Sequence, residues 1–186
     1  MNKQHSCVPC LAPVRVRGTV TRLENGAILL KNSDENGPYH EMILHLRKTT
    51  PVVDAVSGLP LARELRDGET VCAWVGPAMT LSLPPHATAE VVVANNRADF
   101  GAPRYYEIAA ASRTGGTPVR EAVLTTACGE KLTVARDVRL MPWRTRQIVT
   151  LDDLVPGSRV LVWRRADGGI SRVLLFPYGS LHRGAH

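Results

Sequence analysis

Cys7-Val-Pro-Cys10, with His5 just upstream, is the one place in this chain where sulfur and imidazole fall at ligand spacing. Two thiolates so spaced can share a zinc ion, but a closed site takes four ligands; no second CxxC follows, and the one HxxxH pair, His182 and His186, stands at the far end of the chain. A redox CxxC opens a helix, whose N-terminus lowers the thiol pKa; here it precedes strand-like sequence. His5, Cys7 and Cys10 thus stand as metal candidates short of a ligand, in a segment, 1–13, that reads as a flexible tail.

A second constellation lies further on. Arg136, Arg139, Arg144 and Arg146 surround Trp143. Cations for a phosphate backbone, with a ring on which a base can stack, are the elements of single-strand recognition. The competing reading is a Trp143 that follows Pro142 only to plug the end of a barrel. Acid–base chemistry has less to work with: the histidines are scattered, and Asp152-Asp153 ahead of Leu154 resembles a turn cap. A Gly-rich phosphate loop, G-x-S-x-G and H-E-x-x-H are all missing. No cofactor is expected, and a metal-dependent enzyme ranks third among the functional readings.

The scaffold for these groups must be inferred from short apolar segments. Of 186 residues, 44% are hydrophobic, enough for a packed core. Only 5% are aromatic, so Val, Leu, Ile and Ala must fill it. No apolar run nears the roughly 20 residues of a membrane span, and no signal-like apolar stretch follows Met1, so the expected location is the cytoplasm (or outside the cell, had a leader been removed). The net charge of +6 arises wholly beyond residue 100, and 19 of the 23 basic residues are Arg.

Helical periodicity is nearly absent, and alternation bounded by turn residues recurs. Val14–Val20 alternates apolar with basic; Asn25-Gly26 suits a tight hairpin, which Ala27–Lys31 completes. Glu41–Arg47 is a third strand, Pro51–Arg63 an irregular crossing, and Thr70–Val75 a strand apolar on both faces. Four of ten positions then repeat at an offset of 89 residues: Leu65, Gly68, Val71 and Trp74 recur as Leu154, Gly157, Val160 and Trp163. Two copies of one unit explain this most simply. The fold expected is therefore all-β: two tandem five-stranded OB-like barrels related by an internal repeat, spanning 14–97 and 103–178, with a second tail at 179–186. Trp74 and Trp163 read as core, and Cys72 and Cys128 as reduced thiols.

The run G-T-V-T-R-L-E-N-G-A-I-L-L, the strand ending at Thr49-Thr50, and E-L-R-D-G-E-T-V together resemble small OB-like domains of unknown function from bacteria. Because the matching residues make turns and core, the resemblance implies a fold and no chemistry.

One segment breaks the repeat. Residues 76–86, between Trp74 and the strand at 89–94, have no counterpart after Trp163, so the barrel should not require them. Three prolines stiffen the segment, and Met79, Leu81 and Leu83 would form an apolar patch. With Pro84 and His86 they make a partner-binding site, for a protein partner or self-association. The alternative is that this loop packs between the barrels. The expected function is accordingly a non-catalytic binding or assembly module, with single-stranded nucleic-acid binding by the basic second barrel as the alternative.

Overall fold

The computed structural model describes residues 13–32, 39–95 and 102–176. They form twelve strands and a single 3-10 turn, Leu151–Asp153, so the chain is all-β as expected. No helix among the described residues is long and apolar enough to cross a membrane.

The first sheet contains β1 (Val14–Arg22), β2 (Ile28–Lys31), β3 (Glu41–His45), β4 (Val52–Asp54), β5 (Thr70–Met79) and β6 (His86–Ala94), ordered β3-β2-β1-β5-β6-β4. A parallel pairing of β3 with β6 closes five of these strands into a barrel. Alternation in β1 sends Val16 and Val20 inward and leaves Arg15, Arg17 and Thr19 outside. The Asn25-Gly26 turn forms as its chemistry demands: Gly26 has φ 80°, and the Asn25 side chain accepts the Ala27 N–H at 3.0 Å. Gly18 serves a different need. It lies where β1 passes from its pairing with β5 to its pairing with β2, and a Cβ there would stand 2.7 Å from the Lys31 carbonyl oxygen.

The second sheet contains β7 (Arg104–Thr114), β8 (Glu121–Thr126), β9 (Lys131–Ala135), β10 (Arg139–Pro142), β11 (Arg159–Arg164) and β12 (Ile170–Phe176). Its order, β9-β8-β7-β11-β12-β10, repeats that of the first sheet strand for strand. β9 comes close to β12 but makes no ladder with it. The repeated decapeptide does the same work in both units. Leu65 and Leu154 are buried. Gly68 and Gly157, both at positive φ, donate their N–H groups to Val20 and Ile108.

Strands apolar on both faces now have an explanation. In β5, Val71, Ala73 and Val75 face the barrel core, while Cys72 and Trp74 face the second unit. In β11, Val160 and Val162 line the second unit's own core, and Leu161 and Trp163 point back at the first. The resulting junction draws on matching positions of both units: Val53 with Met141, Cys72 with Leu161, Trp74 with Trp163, Val93 with Leu174. The Trp163 indole donates to the Ala55 carbonyl at 2.7 Å, and the Arg172 guanidinium lies 4.7 Å over its ring. Both tryptophans are therefore core residues, as the repeat implied.

A polar clamp borders this junction. Glu90 of β6 accepts from the Tyr105 hydroxyl at 3.3 Å and from Arg159 at 3.2 Å, and Arg159 also pairs with Glu107 at 3.7 Å. Burial pushes the Tyr105 phenol far above its ordinary range.

Cysteine chemistry departs from expectation at one position. Cys72 is a buried thiol, as foreseen. Cys128, however, is disulfide-bonded, with a partner outside the described residues, which corrects its assignment as a thiol. Cys128 lies in the turn before Gly129, and local sequence does not foretell its pairing. Of the four cysteines in the chain, two are expected to react when thiols are counted in denatured, unreduced protein. A count of four would contradict the structure.

Candidate functional site

The segment expected as an inserted loop is mostly an extended hairpin. β5 runs on to Met79 and β6 begins at His86, which leaves only 80–85 as the connection. Two irregularities, at Trp74/Val75 and Val75/Met79, bend the ladder before Met79 pairs with Ala87. The first residues of β6 then run parallel to β3, with Ile43 opposite His86 and Leu44 opposite Ala87. The pairing that closes the barrel uses His86, Ala87 and Thr88, so the segment expected as an insertion reaches it only through His86. In the second unit, where the turn is short, β12 starts too late to do the same.

At the turn itself the backbone is tied down. Thr80 donates its N–H to the His86 carbonyl at 3.0 Å, and the Thr80 hydroxyl oxygen accepts the His86 N–H at 2.8 Å. Ser82 donates to the Pro84 carbonyl at 3.0 Å, and the Leu83–Pro84 peptide is cis. On this frame Leu81 and Leu83 are completely exposed, with relative accessibilities of 105% and 97%. The alternative in which the loop folds over the junction does not describe these two side chains. Met79 behaves differently: it packs against the first core and does not join the exposed patch. His86 stacks on His45 with ring centroids 5.2 Å apart, and Nε2 of His45 lies 3.0 Å from Nδ1 of His86. The pair borders a shallow pocket of about 410 Å³ beside the hairpin.

The arginine constellation does not converge on an open ring. Trp143 is only 8% exposed; its backbone N–H donates to the Leu175 carbonyl at 2.9 Å, and its ring meets Phe176 with centroids 5.6 Å apart. Arg136, Arg139 and Arg146 point into solvent. Arg139 lies near Arg172, whose guanidinium pKa is lowered first by burial and then by that neighbouring charge. Only Arg144 joins Trp143 in a common concavity, and that concavity is shared with the first barrel. Sequence reasoning missed this groove, because its other walls come from turns far away in the chain.

Asp153 caps as expected, accepting the Thr150 N–H at 2.7 Å. His5, Cys7 and Cys10 lie outside the described residues. Among the described residues no group of three or more His, Cys, Asp or Glu could hold a metal ion.

No known protein family, curated protein or solved structure matches the chain.

Proposed function

We propose that the protein is a non-catalytic binding or assembly module: a closed OB-like barrel, followed by a second OB-like sheet of the same strand order, that presents the β5–β6 hairpin to a protein partner. The OB-like reading rests on the connectivity, with β1 paired to both β2 and β5 and the third strand parallel to the last. The observation that carries the functional reading is the pair Leu81 and Leu83, fully exposed on a turn whose backbone is already hydrogen-bonded. Leaving two leucines in water forfeits their burial energy, about 1.5–3 kcal/mol for each side chain. A preformed tip also loses little entropy when it docks.

The occupant is a partner with an apolar groove rather than a second copy of this chain. A stable symmetric interface needs about 800 Å² from each side. Two leucines flanked by Pro77, Ala78 and Ser82 make a narrow tip, suited to insertion into a cavity another protein provides.

The test is the double variant Leu81→Ser/Leu83→Ser. Both residues are surface, so stability should stay within about 0.5 kcal/mol of wild type. Cross-linking and co-purification from the native host should recover a partner with the wild type and lose it with the variant. A partner retained by the variant, or none recovered with the wild type, would overturn the reading.

Single-stranded nucleic-acid binding by the second barrel remains the alternative function. It would have to rest on Arg136, Arg139, Arg144 and Arg146 without Trp143 as an open stacking platform.

A further inference from the structure

The two units enclose a groove of about 520 Å³ at one end of their junction. Arg22, Arg47 and Lys48 of the first barrel reach it, and Arg144 of the second completes the rim. Leu23, Ile28, Leu46, Leu61 and Trp143 give it apolar lining, and Thr50 and Glu64 line it as well. We propose that this groove binds a small phosphate ester with a flat apolar body, a ligand of the nucleotide class.

Charge supports this first. Arg22 is engaged with Glu64 at 2.8 Å. Arg63, also on the wall, is held by two bonds to Glu69, at 2.9 and 2.8 Å, and serves the fold. Arg47, Lys48 and Arg144 have no carboxylate partner among the described residues. With Glu64 taken up by Arg22, three cations remain around the concavity to meet an anion, and guanidinium groups match phosphate oxygens in bidentate fashion.

The second support is that the rim is built rather than loose. Arg47 donates its N–H to the Thr50 hydroxyl at 2.9 Å, Thr50 returns its N–H to the Arg47 carbonyl at 2.9 Å, and the Thr50 hydroxyl donates to Ala89 at 3.2 Å. That turn fixes Arg47 and Lys48 against β6. Across the groove, Arg144 has φ 53°, a left-handed backbone that non-glycine residues rarely adopt. Trp143, pinned to β12 on the residue before, holds it there. Strained residues of this kind gather at ligand sites.

Shape decides between a small ligand and a strand. The volume falls within the roughly 300–1,000 Å³ of small-molecule pockets.

Calorimetric titration at low salt, with ADP, adenosine and pyrophosphate as probes, tests the proposal. ADP should bind at least about tenfold more tightly than adenosine, and pyrophosphate should compete with it. Arg144→Gly keeps the left-handed backbone and removes the guanidinium; Lys48→Gln removes the facing charge. Each should weaken ADP by about tenfold with an unchanged melting temperature. The proposal falls if ADP binds no better than adenosine, if both variants bind ADP as the wild type does, or if a thymidylate oligomer binds where ADP does not.

Discussion

Replacing Trp163 with alanine is expected to destabilise the protein by about 3–5 kcal/mol, the range for truncating a large buried aromatic side chain. The ring is 6% exposed and sits in the cluster shared by both units. Its loss would open a cavity between two sheets that cannot collapse without sliding past each other. It would also strip the Ala55 carbonyl of a 2.7 Å hydrogen bond and leave the Arg172 guanidinium without the ring beneath it. Trp163→Phe separates these terms: it keeps most of the volume and should cost about 1–3 kcal/mol for the unsatisfied carbonyl. Urea unfolding followed by circular dichroism reads both. A loss under about 1 kcal/mol for the alanine variant would mean the units are not packed through this ring.

The other large effect is expected at Gly18. A Cβ there would lie 2.7 Å from the carbonyl oxygen and 2.8 Å from the carbonyl carbon of Lys31, and both are backbone atoms of the neighbouring strand. Backbone cannot rotate aside as a side chain can, so Gly18→Ala must push β2 away from β1 where Thr19 pairs with Lys31. Overpacking of this kind costs about 1–3 kcal/mol and here also threatens ladder hydrogen bonds. Gly68→Ala is the control. Gly68 has open space around its absent side chain but φ 79°, so alanine there meets only the penalty of a left-handed backbone, about 1–2 kcal/mol. Denaturation midpoints should rank Gly18→Ala below Gly68→Ala, and the reverse order would show that β1 and β2 can separate freely.

What could be read from the chain without coordinates followed the physics of each element. Val14–Val20, Ala27–Lys31 and Thr70–Val75 declared themselves because alternation, the Asn-Gly turn and continuous apolarity are local signals. The 89-residue offset carried the architecture, since Leu, Gly, Val and Trp in register specify loop anchor, turn and strand. β4 and β10 were hidden: three and four residues are too few for periodicity to register, and both pair in parallel with strands distant in sequence. The exposed leucines were legible as an apolar loop, but Met79 was not separable from them, because packing against the first core depends on how the hairpin bends. The groove was the least legible feature, being made by turns near residues 22–27, 46–52, 60–65 and 143–144. Only folding brings those together.

The junction has a consequence for how the halves can change. Equivalent residues of both units contribute to one buried cluster, as matching residues do in a two-fold dimer. In a true dimer, every substitution appears on both sides, and the pairing weakens with dilution. Covalent linkage removes both constraints: the second half is held at high effective concentration, so association no longer depends on how much protein is present. Each half is then free to carry what the other does not. The closing hairpin with its bare leucines belongs to one, and the strained Arg144 belongs to the other.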